Sequence, residues 1–396
     1  MPLPDTPFLL IDDARTPGAR PARLYRDPVA IVRAQESAEV KPALAALKTA
    51  RARGLHAAGF IGYEAGYALE PRLAGLATRR GEGDPPLLWF GLFEEYTEIV
   101  ADAVPALLTG SARDTETLPA PLISRSDYEA GFAAIAENIV AGDIYQANFT
   151  FPCRVEVGDD PAAFYGTIRP HAAAGYGALV YTGAHWLLSF SPEQFFALEG
   201  DVLNTRPMKG TALRDADPAR DAAHAEALRN DPKQRAENLM IVDLLRNDLS
   251  RIAVPGSVAV PDLFTIESYP TVHQMTSRVT ARLRPGLDAV DAFAALFPCG
   301  SITGAPKIRA MEIIHTVETY ARGPYTGAVG AFDSNGNAAF NVAIRTICVK
   351  DGAKQGVIGL GSGLVADSMA ASEWNECLDK GRFLGAGTAG RTNEQS

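Results

Sequence analysis

The stretch GAVGAFDSNGNAAFNVAIRTICVKDGAKQGVIGL, residues 327–360, decides the fold class. Two turn dipeptides punctuate it. Asn335-Gly336 separates Gly327–Phe332 from Ala338–Ile344, and Asp351-Gly352 separates Ile344–Val349 from Val357–Leu360. Glycine after Asn or Asp supplies the positive φ of tight hairpin turns. A third pair, Gly200-Asp201, divides Phe195–Leu198 from Val202–Asn204. Connections this short join antiparallel neighbours, because parallel strands need a long crossover. The chain therefore reads as α+β, with largely antiparallel sheet and helices grouped beside it.

Working outward, apolar spacing predicts helices over Val40–Arg53, over Ser126–Ala141 with Ser126 as N-cap, and over Ala305–Val317. The charged stretch Ala212–Glu237 leads into Ala236–Ile252. That second helix is apolar on nearly every side (Leu239, Met240, Ile241, Val242, Leu244, Leu245), so burial is expected. Ala101–Pro121, rich in Ala, Pro, Thr and Ser, reads as a linker and divides residues 1–120 from residues 121–385. Residues 386–396 are polar and glycine-rich and read as a disordered tail.

Of the 396 residues, 47% are hydrophobic and 21% charged, enough to bury a large core. A net charge of −10 excludes general nucleic-acid binding, which needs a basic face, but leaves room for a basic pocket around a small anion. No apolar run approaches a membrane span, and the first fifteen residues lack a signal-peptide pattern. Four scattered cysteines without a C-x-x-C fit a reduced, cytoplasmic setting.

Glu373 and Glu376 stand three apart in a helical segment, with Lys380 one turn further on, so both carboxylates share a face. Glu237 opens the apolar helix. All-oxygen ligation of this kind suits Mg²⁺, although such pairs taken alone are more often solvated surface glutamates. Hydroxyls at Ser301 and Thr303 precede a helix, a place for a carboxylate or for simple capping. The glycine-dense turn ending at Gly363 could present amides to a carboxylate, but matches no nucleotide-binding pattern. Lys209, before Gly210, is a candidate nucleophile if desolvated; on spacing alone a loop lysine is the more common case. Arg345 alternates with apolar residues as if on a strand, where a bidentate carboxylate partner is expected. Asp243 and Arg246 read as a structural ion pair. The six histidines form no zinc pattern, and there is no G-x-S-x-G elbow.

Eight ordered segments make the pattern specific: GDIYQANFT (142–150), SPEQFF (191–196), TRPMKGT (205–211), RAENLMIVDLLRNDLSRI (235–252), FPCGSITGAPKIRAMEII (297–314), YTGAVGAF (325–332), FNVAIRT (340–346) and GSGLVADSMAASEWNE (361–376). Together they resemble the chorismate-utilising enzymes, which include component I of anthranilate synthase and of aminodeoxychorismate synthase, and the isochorismate and salicylate synthases. The resemblance implies two antiparallel sheets packed roughly orthogonally as a sandwich with helices outside. Residues 1–120 would be an N-terminal subdomain of that sandwich, and residues 121–385 the chorismate-binding catalytic domain.

Within the family, a lysine at the Lys209 position marks the members that aminate chorismate at C4. Glutamine at the Gln146 position resembles the ammonia-using members, where water-using members carry a lysine. The resemblance implies Lys209 as nucleophile and Glu193 as an acid or base near C4. Glu237 and Glu376 resemble magnesium ligands, with Glu373 close by, and Gln146, Ser301, Thr303, Tyr325, Arg345, Gly363 and Lys380 match positions around the substrate. Gln274 stands where many relatives carry a histidine, so it is placed among the catalytic positions, with His273 expected on the other side of its strand. No amidotransferase cysteine elbow is present, so a separate glutamine amidotransferase subunit is the expected partner. The alternatives are anthranilate formation and, remotely, a non-catalytic chorismate-binding partner subunit.

Overall fold

The computed structural model describes residues 3–15, 18–76, 81, 83–110, 118–269 and 272–385. The tail 386–396 lies outside the described residues. The opening stretch forms two hairpins, Ala328–Phe332 with Ala338–Val342 and Thr346–Lys350 with Gln355–Leu364. They belong to different sheets, so the chain crosses from one sheet to the other between Val342 and Thr346.

The first sheet carries, in order, Gly304–Ala305, Gln146–Glu156, Gln355–Leu364, Thr346–Lys350, His185–Ser191, Tyr176–Tyr181, Phe8–Asp12, Ala22–Arg26 and Thr97–Ile99. The second carries Met208–Leu213, Val272–Arg282, Val202–Arg206, Gln194–Glu199, Ala338–Val342, Ala328–Phe332, His56–Ile61, Leu88–Phe93 and Ala30–Ala34. Ala120–Pro121 lies beside the first and Ala259–Ser268 beside the second. Paired strands are antiparallel throughout the described residues, as the short turns require. Strands from the first hundred residues complete both sheets.

Alternation sorts each strand between two layers. Phe8, Leu10, Leu179 and Leu188 face outward into a core shared with the helices Arg125–Val140, Pro161–Ala172, Lys307–Val317 and Ala370–Asp379. Leu9, Val180 and Leu187 face inward, where they meet Ala58, Phe60, Trp89, Val329 and Ala331 of the second sheet. The helices Ser37–Ala52, Pro232–Ser250 and Ala289–Leu296 cover the second sheet's outer face.

Several local expectations need correction. Ala101–Leu107 is a 3₁₀ helix, with Val104 and Leu108 buried in the outer core, rather than linker; residues 111–117 lie outside the described residues. Asn335-Gly336 does not make a two-residue turn. Phe332 pairs with Ala338, and the Asp333 N–H closes a longer loop onto the Asn337 carbonyl at 2.8 Å. The Asp333 carboxylate is held by Arg23 at 3.0 Å and by His56 at 3.2 Å, and these contacts set the loop. Gly200-Asp201 does form the expected tight turn, with Glu199 opposite Val202 and Gly200 at φ +61°.

The N-cap of the helix Arg125–Val140 is Ser124, in a reciprocal capping box with Asp127, and not Ser126. The charged stretch breaks at Asp231, which ends Pro218–Asn230 and caps Pro232–Ser250. That second helix buries one stripe (Ile241, Val242, Leu245, Leu249) and leaves Leu239 43% exposed, so it is amphipathic and not enclosed. The last of these helices begins at Lys307, after Gly304–Ala305 has paired with Gln146 and Ala147.

Candidate functional site

Gln146–Glu156 and Gln355–Leu364 form a long antiparallel ladder that sets Asn148 opposite Gly363. A Cβ built on Gly363 would lie 2.8 Å from the Gln146 Nε2 and 3.1 Å from the Lys209 Nζ. Gln146 comes from the first sheet and Lys209 from the second, so the two sheets present these groups to one small space that only glycine leaves open.

Lys209 is aimed there by a bulge. Its strand slips register between Met208 and Thr211, and Gly210 takes φ +89°. The side chain is half-buried by solvent contact yet encircled by protein. Desolvation holds its pKa below the ordinary lysine range, and Lys380 adds to this; Glu237, Glu193 and Glu376 oppose it. Gln146 is almost fully buried, and neither its Nε2 nor its Oε1 has a hydrogen-bond partner. An amide left so costs about 1–3 kcal/mol. Such a group calls for a water, an ion or a ligand to complete it.

Glu193 sits at another crossing between the sheets, after His185–Ser191 of the first and before Gln194–Glu199 of the second. This crossing runs beside the one at Arg345. The Val342 N–H donates to the Glu193 carbonyl at 3.1 Å, and the Phe190 N–H to the Arg345 carbonyl at 3.0 Å. Burial pushes the Glu193 carboxyl up to about 7, although a 2.7 Å hydrogen bond from Ser301 and the charge of Lys209 oppose it.

Glu237 rises from the first turns of Pro232–Ser250, and Glu373 and Glu376 from Ala370–Asp379. Burial, together with the neighbouring Glu376 and Glu373, raises the Glu237 pKa despite Lys209 and Lys233. Glu376 accepts from Lys380 at 2.9 Å, and the lysine outweighs desolvation to leave its pKa lowered. Lys380 also donates to the Gly361 carbonyl at 2.9 Å, which pins this helix to the site strand. Glu373 accepts from Ser368 at 2.7 Å. Among the described residues no three His, Cys, Asp or Glu side chains stand at ligating distance. These three side chains are all carboxylates, the donor type that suits a hard cation.

The remaining predicted residues lie around this cluster with differing roles. Thr303 is fully buried, and its hydroxyl is engaged with the Cys299 and Gly300 carbonyls, so it shapes the Gly300–Ile302 turn. The Tyr325 ring lies where a Cβ of Gly359 would point, four residues before Gly363 on the same strand. Tyr325 also lines a separate cavity of ≈ 440 Å³ with Arg322, His185 and Lys350. Gln274 pairs with Thr211 across the strands and accepts from its hydroxyl at 3.2 Å. His273 is buried on the opposite side and bonds Ser268 and Asp221, both at 2.9 Å.

Arg345 is not on a strand. It occupies the bend between sheets at φ +50°, and no carboxylate among the described residues pairs with it. Its guanidinium lies over Phe383 at 5.6 Å, and desolvation lowers its pKa. The strand expectation is corrected: the residue stands in the bend where the chain passes from one sheet to the other, and not in a ladder. The surface pair Asp243–Arg246 forms as predicted, at 2.7 Å.

The sequence reading overlooked Arg322, Glu318 and Glu64. Glu318 and Arg322 are four apart, a signal hidden by the break in helix after Val317. Glu64, buried, accepts from the backbone N–H groups of Arg322 and Gly323 at 2.6 and 3.0 Å, a contact no local pattern announces.

Comparison with known proteins bears on what this arrangement is. Aminodeoxychorismate synthase component 1 of Klebsiella aerogenes is 45% identical over 262 residues, covering 65% of this chain and 57% of that protein. The chain thus spans little more than half the length of that relative. Anthranilate synthase component 1 of Methanothermobacter marburgensis is 34% identical over 349 residues, 82% of this chain and 73% of that protein. The crystal structure of anthranilate synthase component I from Streptococcus pneumoniae superposes with a TM-score of 0.80 at 25% identity, covering 94% of this chain and 93% of that one. The sequence model described as chorismate binding enzyme matches residues 6–385, a span that includes both sheets and every residue placed in the site, and the chain belongs to that family.

Proposed function

We propose that this chain aminates chorismate at C4, giving 4-amino-4-deoxychorismate on the way to p-aminobenzoate and folate, in the cytoplasm and with ammonia from a separate glutamine amidotransferase subunit. The observation that carries the reading is the meeting of Lys209 Nζ and Gln146 Nε2 over Gly363. Desolvation lowers the Lys209 pKa and so favours the neutral amine a nucleophile needs. Its attack on C2 of the ring, with departure of the protonated C4 hydroxyl as water, forms a C–N bond, shifts both ring double bonds and releases a proton from the amine. Ammonia then bonds C4 and releases the lysine, so the amine ends where the hydroxyl began.

Glu193, with its carboxyl near 7, is poised to give a proton to the leaving hydroxyl. Arg345, without a protein carboxylate, is suited to a substrate carboxylate. Glu237 and Glu376, with Glu373 beside them, would hold a magnesium ion that neutralises the ring carboxylate. The names of the Klebsiella, Methanothermobacter and Streptococcus relatives support a chorismate substrate and leave anthranilate formation as the second reading.

The test is an end-product assay with chorismate, Mg²⁺ and ammonium, with and without aminodeoxychorismate lyase. The proposal expects p-aminobenzoate only when lyase is added. Anthranilate formed without lyase would overturn it. Lys209→Ala is expected to lower C4 amination by about 10³-fold or more; an unimpaired variant removes the covalent step.

A further inference from the structure

We infer that Arg322 is a positioning residue of this site, fixing the Ser301 turn against the strand that carries Gln146. The inference rests on the proposed function and deepens it.

Arg322 is 6% exposed and Glu318 3%. The guanidinium has five N–H donors, and each has an acceptor. Its Nε and Nη2 fork onto Glu318 at 2.8 and 2.7 Å. Nη1 donates to the Ile302 carbonyl at 3.0 Å and to the Thr326 hydroxyl at 3.4 Å, and Nη2 also donates to the Asn148 carbonyl at 2.6 Å. The plane lies 4.4 Å from the centre of the Tyr63 ring. Glu318 in turn accepts from the Thr150 N–H and hydroxyl at 2.9 and 3.0 Å.

These partners have one thing in common. Ile302 lies between Ser301, which bonds Glu193, and Thr303, whose carbonyl accepts from the Asn148 N–H at 2.8 Å. Asn148 is two residues from Gln146 and opposite Gly363. One side chain therefore locks the turn, the strand and the Tyr325–Thr326 loop together beside Asn148, which stands opposite Gly363, and Glu64 holds its backbone and that of Gly323. Only a planar, five-donor group can hold two carbonyls and a carboxylate at once, so lysine is not an equivalent. A shift of about 1 Å in a group that positions substrate is enough to cost up to about 10²-fold in kcat/KM.

The experiment is a double-mutant cycle of Arg322→Lys with Ser301→Ala, read as kcat, KM and the dissociation constant for chorismate. Chorismate turnover and binding by the unmodified chain are measured first. Arg322→Lys is expected to raise KM and the dissociation constant about 10-fold or more, with a smaller change in kcat. Added to Ser301→Ala, it should cost less than about 3-fold further, because both act through the same turn. Independent, multiplicative losses would overturn the inference and leave the proposed function standing. An unmodified chain that neither binds nor consumes chorismate would instead remove the proposed function itself.

Breaking a buried ion pair can prevent folding. Thr150→Val, a near-isostere that removes one donor to Glu318, therefore runs in parallel. It is expected to raise KM about 3-fold, again with little further loss beside Ser301→Ala; a wild-type KM in this variant would overturn the inference.

Discussion

The layer between the two sheets is built in opposite ways at its two ends. One end is apolar and made largely of small side chains, Ala58, Ala178, Ala331 and Ala343 among Phe60, Trp89 and Val329. Small residues let the sheets approach closely and pack at the density of a protein interior. At the other end different strands of the same two sheets present Gln146 and Lys209 beside Gly363, with Glu193 at a crossing between the sheets. There the groups are poorly satisfied. An amide lacks partners, Lys209 is pushed towards neutrality by desolvation and by Lys380, and Glu237 faces two further carboxylates. Perturbed titration in a cleft is a mark of function, and the closed end provides the stability that the open end gives up.

The same substitution should therefore act differently in the packed strands of the closed end and at the site. Gly59 lies between Ala58 and Phe60, which face the closed layer, and points to the outer side of its sheet. There an alanine Cβ would lie 2.0 Å from the Trp89 carbonyl oxygen, against backbone that cannot yield. The expected cost is about 3 kcal/mol or more, read as a large fall in Tm or loss of soluble protein. Gly363→Ala meets only the tips of Gln146 and Lys209. It should leave Tm nearly unchanged while lowering kcat/KM about 10²-fold. If both variants lost stability alike, the contrast between the two ends would be false.

A smaller effect concerns the carboxylates. Glu376→Gln and Glu237→Gln should each raise the Mg²⁺ concentration for half-maximal activity by about 10–100-fold, measured by titration. An unchanged requirement would remove these residues as ligands.

The smallest expected effect is on stability. The Glu193 carboxyl titrates near 7 in the folded chain against an ordinary 4.5. Between those values the folded state holds a proton that the unfolded state has lost, so stability falls as pH rises through the window. Glu193→Gln removes that dependence. Its Tm should exceed the parent's by about 2 °C at pH 8 and match it at pH 4. Parallel pH–Tm curves for the two proteins would contradict the raised carboxyl.

Local signals account for much of the architecture, and their failures have identifiable causes. Gly200-Asp201 gave its turn because only backbone conformation was at stake. Asn335-Gly336 gave a longer loop because Asp333 is drawn to Arg23 and His56, which are remote in sequence. Glu373, Glu376 and Lys380 were readable from helical spacing, whereas the pairing of Glu318 with Arg322 crosses a helix end and carries no such period.

The sequence by itself determined the antiparallel class, the family resemblance, and the residue types at Lys209, Gln146 and the three glutamates. Those follow from turn chemistry and from motif spacing, both short-range properties of the chain. Tertiary structure alone decided that the chain crosses between sheets at Glu193 and Arg345, side by side, and that a bulge at Gly210 brings Lys209 to Gln146. It also decided that Arg322 ties the Ile302 turn to the strand that carries Gln146. These outcomes depend on contacts between segments well separated in sequence, and no local period encodes such pairings.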